Sequence, residues 1–389
     1  MKRIPAADIF RSFACLWVFA YHLSLKINLE PSENLLAEFV LSGAYGVAVF
    51  FVLSGFLLSV PFWNAYDSGK RMPSIKKFAY KRIIRILPAY YLCLVFCFLL
   101  FSNYEVNDFI RFTCALMFVN SYHYITFFPV NLNNPLWSIG VEMMFYLFFG
   151  FLMIWMFKLR KNVQAVSFLS VSFIVLFIIN YAINYFYPLD GEGKTLFDLA
   201  KRWLPGYNPT SLFLHFLLGV FGAKIYLLFS NKFNKSIYFD LALVAVVVIY
   251  ITIQFAVIEV ASLNIAFIEK LFIYLYIIPS ETFAYGFPLF SLLVMILLAM
   301  FPMTLYFEKW LDNTFIRWTA TLSYGIYIWH YVICFWALEA LVPIFRDLDS
   351  VHVKLLFTVS SIIATYAIAS LSWYCFEKPI LKIAQRYKV

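Results

Sequence analysis

The sequence predicts an all-α membrane bundle of about ten transmembrane helices, with both termini on the cytoplasmic side. Three observations predict it. Of the 389 residues, 63% are apolar and only 13% are charged, against roughly 45–50% apolar and about 25% charged in soluble domains. Apolar runs of about 17–25 residues, the length that crosses a hydrocarbon core, recur along the whole chain. Aromatic residues make up 21% of the chain, and Tyr and Trp often fall near the ends of these runs, where such rings sit at the membrane–water interface.

The runs are Ala6–Leu25, Ala44–Phe62, Ile86–Phe101, Leu136–Phe157, Val166–Tyr185, Ser211–Ser230, Ile237–Ile258, Thr282–Tyr306, Ala320–Leu341 and Leu355–Phe376. Segment 104–134 interrupts its apolar residues with Arg111, Asn120, Ser121 and His123. Counting it as a crossing would move Lys158, Arg160 and Lys161 outside and weaken the excess of Lys and Arg on the inside. It is therefore read as a re-entrant or interfacial piece buried against protein. The net charge of +9 resides in short loops, so it reports orientation and not nucleic-acid binding. Met1–Leu25 has the outline of a secretory signal, but Arg11 interrupts it and no small-residue cleavage site follows, which predicts a retained first helix. Residues 1–389 read as one multi-pass domain of the plasma membrane, without an appended soluble domain. The connection from Tyr187 to Pro209, rich in Gly, Pro and charge, is a solvated outside linker or an acceptor-facing loop. The six cysteines lie in apolar stretches without C-x-x-C or metal-type spacing, so neither disulfides nor a metal site is expected.

A charge at a helix centre costs roughly 2.5–3.5 kcal/mol on insertion scales, so intramembrane polar residues need a reason to stay. Arg11 and His22 share the first run. Eleven residues at 100° each bring them to one face, about 16 Å apart along the axis. This stripe reads as a cavity wall; alternatively, Arg11 snorkels to the interface and His22 bonds a neighbouring carbonyl. Trp137, Ser138 and Glu142 enter the fourth run from outside, placing Glu142 about 9 Å deep, near the level assigned to His22. A carboxylate there would orient the imidazole and raise its basicity; the structural alternative is a pairing that holds two helices together. Arg82 and Arg85, three residues apart on one helical face, suit bidentate phosphate contacts, although positive-inside anchoring explains most of their basic run. Ser323, Tyr327 and His330 are spaced along one face of the ninth run, for helix packing or chemistry. Glu377 reads as an interface anchor. His22, Glu142 and His330 have no metal-ligand spacing signature.

These residues fall in motifs. Asp8-Ile9-Phe10-Arg11 followed by His22 resembles the first-helix signature of the acyltransferase-3 family of membrane acyltransferases. Further blocks match in order: Val49 to Phe56, with Ser54 and Gly55; Arg82-Ile83-Ile84-Arg85; Trp137-Ser138-Ile139-Gly140-Val141-Glu142; Ser323 to His330, with Tyr327; and Phe376-Glu377-Lys378-Pro379. The resemblance implies ten helices, acetyl-coenzyme A or another acyl-coenzyme A as donor substrate, and no permanently bound cofactor. It implies a catalytic position at His22, donor contacts from Arg11, Arg82 and Arg85, and Glu142 in the functional core. Acceptors in the family are glycans of the O-antigen, exopolysaccharide, capsule or peptidoglycan type. The expected activity is O-acyl transfer, chiefly O-acetyl, from cytosolic acyl-coenzyme A to a glycan hydroxyl at the cell surface or on a lipid carrier, with His22 as general base or transient acyl acceptor. Met143 and Met144 depart from the polar pair often seen after the motif Glu. The competing reading is a transporter or flippase for a lipid-linked sugar, against which stands the lack of an internal repeat. The oligomeric state is not fixed by these features.

Overall fold

The computed structural model describes residues 3–29, 35–131, 133–159, 161–187, 196–262, 284–337 and 351–386. Among them every regular element is helical and no strand occurs. The chain divides into two compact units, the first Met1–Arg11, Ala48–Pro73 and Leu147–Arg317, the second Ser12–Val47, Ser74–Tyr146 and Trp318–Val389. The helices are α1 (Pro5–Lys26), α2 (Leu35–Leu41), α3 (Gly46–Asp67), α4 (Ile75–Phe101), α5 (Val106–Leu116), α6 (Trp137–Met156), α7 (Asn162–Phe186), α8 (Leu196–Tyr207), α9 (Pro209–Lys232), α10 (Ile237–Ser262), α11 (Leu289–Met300), α12 (Phe307–Leu311), α13 (Thr314–Val332), α14 (Val351–Leu371) and α15 (Lys378–Arg386). Single π-helical segments, Ile333–Ala337 and Ser372–Glu377, follow α13 and α14.

Among the described residues six helical stretches are long and apolar enough to cross a membrane: Leu36–Asp67, Ile75–Phe101, Asn134–Met156, Asn162–Phe186, Asp198–Lys232 and Val351–Ala384. Ile237–Ile253 and Leu289–Met303 are apolar but shorter. α1 is less apolar because it carries Asp8, Arg11, His22 and Lys26, and α13 because it is rich in Thr, Tyr and Trp. Leu147, Phe151 and Trp155 on α6, and Val171, Ile174 and Ile178 on α7, point outward. So large an apolar surface has a favourable partner in lipid tails and an unfavourable one in water. In α5 the polarity is inverted: Val106, Phe109 and Ile110 are exposed, while Arg111 is 4% exposed. Its guanidinium donates to the Phe128 carbonyl (2.7 Å) and to Asn131 Oδ1 (2.8 Å), and pairs with Asp108 (3.4 Å).

Three elements differ from the sequence expectation, the first being the eighth run, Thr282–Tyr306, whose described residues hold only the 12-residue helix α11 between two short 3-10 turns. α4 begins eleven residues before Ile86, because Ser74 caps it by accepting a hydrogen bond from the Lys77 amide (3.3 Å); such a cap satisfies an amide that the helix start leaves open. The basic run up to Arg85 is thus helical. Part of the connection expected to be an outside linker is the helix α8, whose Ala200 and Leu204, one turn apart, are buried; residues 188–195 of that connection, the end of the ninth run beyond 337 and the start of the eighth before 284 lie outside the described residues.

Within the first unit, α3 and α9 pack backbone to backbone. A Cβ on Gly55 would lie 2.0 Å from the Phe216 carbonyl oxygen, and one on Gly219 would lie 2.0 Å from that of Val52. Small residues allow this approach, and in lipid close van der Waals packing is a main source of helix association. Gly219→Ala is expected to cost about 1–3 kcal/mol, as overpacking does. Thermal unfolding in detergent checks this, and an unchanged midpoint would show that the two helices separate freely.

Candidate active site

Within the second unit, the end of α1 meets the end of α13. His22 Nδ1 lies 2.9 Å from His330 Nε2. His330 is buried, 1% exposed, with its Nδ1 2.8 Å from the Tyr327 carbonyl oxygen and 3.1 Å from that of Ile326. A carbonyl can only accept, so in the neutral ring His330 Nδ1 carries the proton and Nε2 is an acceptor. The proton between the two rings therefore belongs to His22 Nδ1. It follows that His22 Nε2 bears an unshared pair, the form a general base requires. His22 is half-buried, flanked by the rings of Tyr21 and Tyr331, each at 5.1 Å between centroids. The π segment that begins three residues after His330 fits the frequent occurrence of such bulges at functional sites.

Segment 133–138 clasps α13 around this pair. Asn133 donates to the Ile328 carbonyl (3.0 Å) and Asn134 to the Tyr331 hydroxyl (3.3 Å). The hydroxyls of Ser138 and Tyr327 are 2.6 Å apart, and both lie within reach of the Pro135 carbonyl. Trp137 stacks on Phe127 at 5.1 Å. Gly140 makes room for the Asn120 side chain, whose Oδ1 lies 2.3 Å from where a Cβ would sit. Ser138 and Tyr327 thus hold the start of α6 against α13, while Trp137 and Gly140 pack against Phe127 and Asn120 of the preceding segment. Ser323 turns its hydroxyl back to the Ala320 carbonyl (2.9 Å).

The pairing expected between Glu142 and His22 is not formed; His330 occupies that position on the imidazole. Glu142 lies one turn beyond Ser138, which is itself level with Tyr327, so it sits about 6 Å further along α6. There its carboxylate accepts a hydrogen bond from the Tyr146 hydroxyl. The Arg82 guanidinium lies 5.9 Å from the Tyr146 ring, and Arg85 shares electrostatic surroundings with Arg82, Glu142, Tyr146 and Glu377. Both arginines are half-buried. Among the described residues neither guanidinium is engaged in a hydrogen bond or ion pair. Ten donor groups in a partly enclosed place are thereby left for a ligand. Glu377, read from sequence as an anchor, is 6% exposed and accepts from Ser372 (2.8 Å) within the second π segment. The signal for it was a Glu just before Lys-Pro at the close of an apolar run.

The remaining motif residues belong to the first unit. Asp8 pairs with Arg3 (2.7 Å) and with Arg11 (3.6 Å). Arg3 also binds Asp312 (2.6 Å), which Arg317 grips from the other side (2.8 Å). Hydrogen bonds from Arg317 and Arg3 hold the Asp312 carboxyl down at about 2, against an ordinary 3.8. A carboxylate depressed by folding contributes its stability above the ordinary value and loses it as pH falls toward the folded one. Thermal stability should thus fall between pH 3.8 and about 2 in the wild type and fall less in Asp312→Asn; parallel profiles would contradict the assignment. Ser54 lies half-buried on α3, beside the Gly55 contact.

The acyltransferase domain that defines the acyltransferase-3 family matches residues 4–374. The chain is 24% identical over 400 residues to the peptidoglycan O-acetyltransferase OatA of Listeria monocytogenes, covering 98% of this chain and 56% of that protein. It is 25% identical over 402 residues to YrhL of Bacillus subtilis, provisionally named for the same activity, covering 97% and 55%. A Staphylococcus aureus protein provisionally named an O-acetyltransferase is 23% identical over 354 residues, covering 86% and 51%. The chain spans about half the length of these curated relatives. No solved structure matches it. With the match running through nearly the whole chain, it belongs to the acyltransferase-3 family of acyltransferases.

Proposed function

We propose that the chain transfers an acyl group, chiefly acetyl, from cytosolic acyl-coenzyme A to a hydroxyl of a cell-surface or lipid-linked glycan. The observation that carries this reading is the His22–His330 pair, in which His22 Nδ1 holds the proton and Nε2 keeps its lone pair. The acceptor oxygen bonds to the thioester carbonyl carbon as its proton passes to Nε2. Collapse of the tetrahedral adduct breaks the carbon–sulfur bond, and the proton moves from His22 to the departing thiolate. Through the Nδ1–H bond, His330 orients His22 and shares the positive charge that forms. A neutral imidazole does this at lower desolvation cost than a carboxylate in lipid.

Arg82 and Arg85 take the donor's phosphates by charge-assisted bonds, and Arg11, eleven residues before His22 on the same helix, serves the donor side. Ten helices cross the plasma membrane with both termini inside, and segment 104–134 is re-entrant or interfacial; the inward Arg111 and outward apolar face of α5 support the latter. The name of OatA supports a glycan acceptor. Purified protein given radiolabelled acetyl-coenzyme A and an N-acetylglucosamine oligosaccharide is expected to place label on the sugar. Label that stays wholly on coenzyme A, with sugar carried across liposomes instead, would favour a transporter.

A further inference from the structure

We infer that the first unit holds a subsite for a neutral pyranose ring of the acceptor, built by α8, α9 and the turn before α11; this rests on the glycan-transfer reading. Trp203 and Tyr207, one turn apart on α8, stack at 5.3 Å and are both half-buried. Tyr207 meets Tyr285 edge to face at 5.1 Å, and the Tyr285 ring lies 6.2 Å from that of His215 on α9.

The polar groups behind these rings are under-satisfied. His215 is fully buried, and its Nδ1 is 2.5 Å from Ser291 Oγ on α11. Among the described residues His215 Nε2 has no hydrogen-bond partner, and neither has Ser211 Oγ, also fully buried. The two residues are four apart on α9 and so share a face. Buried polar atoms are nearly always paired, and two orphans side by side call for an explanation. Tyr285 adds a second irregularity, since its φ of 59° lies in a region costly for a residue with a Cβ.

Rings that take C–H faces and a few deep polar atoms that take hydroxyls are what a sugar needs. None of the six side chains carries a fixed charge. A phosphorylated ligand such as the donor is matched by the unengaged guanidinia of Arg82 and Arg85, not by this cluster.

The test is steady-state kinetics in detergent with acetyl-coenzyme A and an N-acetylglucosamine pentamer, together with calorimetric titration of the pentamer alone. Trp203→Ala and His215→Asn should each raise the acceptor KM and the pentamer Kd by about tenfold, the equivalent of one lost stacking or hydrogen-bond contact. The donor KM and acceptor-free hydrolysis of acetyl-coenzyme A should not change. Unaltered acceptor KM and Kd with a lowered unfolding temperature would assign these residues to packing and overturn the subsite. Wild-type protein that binds the pentamer in a Trp203-dependent way, yet neither hydrolyses nor transfers acetyl, would uphold the sugar site and overturn the transfer reading.

Discussion

His22→Ala is expected to lower kcat for acetyl transfer by about 10²–10⁴-fold, the usual worth of a positioned general base, while the protein still reaches the membrane. The half-buried ring that this substitution removes has only one hydrogen-bonded side-chain partner, His330, among the described residues, so the loss comes from chemistry more than from packing. His330 gives the sharper comparison. Alanine there removes the acceptor for the Nδ1 proton and frees the His22 tautomer, whereas a glutamine offers a carbonyl oxygen in its place. Activity in the order wild type, His330→Gln, His330→Ala is the expected outcome, with unfolding temperatures reported for each. Equal loss in both variants would reduce His330 to a packing residue. Surface glycans that keep their full ester content in cells carrying His22→Ala would remove that residue from the reaction.

The second large effect concerns the donor. A hydrogen bond to a charged group contributes roughly 1.5–3 kcal/mol, so Arg82→Ala and Arg85→Ala should each raise the KM for acetyl-coenzyme A by about ten- to a hundredfold. Acetyl-pantetheine, which carries the same thioester without the phosphates, should be used by both variants as by the wild type. A matching loss with the two donors would mean that the arginines hold the helix ends together and do not read phosphate. The absence of any described ion pair to either guanidinium favours the first outcome.

The same contrast explains what could be read from the sequence. Long apolar runs become helices because only a helix satisfies its own backbone in lipid, and six of them were legible as stretches long enough to cross a membrane among the described residues. The first turns of α4 were not, since Lys76, Lys77 and Lys81 look like loop residues until Ser74 is recognised as a cap. α8 hid behind its proline and charges, although Ala200 and Leu204 carry helical spacing. At the site, His22 and the helical face bearing Tyr327 and His330 stood out as polar positions in apolar runs. Their union did not, because nothing local links residues 308 apart. Glu142 was placed at the wrong partner for a related reason. Depth counted from an uncertain helix start carries an error of about a turn, and one turn separates the histidine pair from the arginines.

Base catalysis by His22 requires its proton on Nδ1 and an unprotonated Nε2. Solid-state ¹⁵N NMR of histidine-labelled protein in liposomes at neutral pH, with His22→Ala used to assign the signal, reads this directly. A protonated Nδ1 and an unprotonated Nε2 are expected for His22; a proton found on Nε2 would rule out its role as the base.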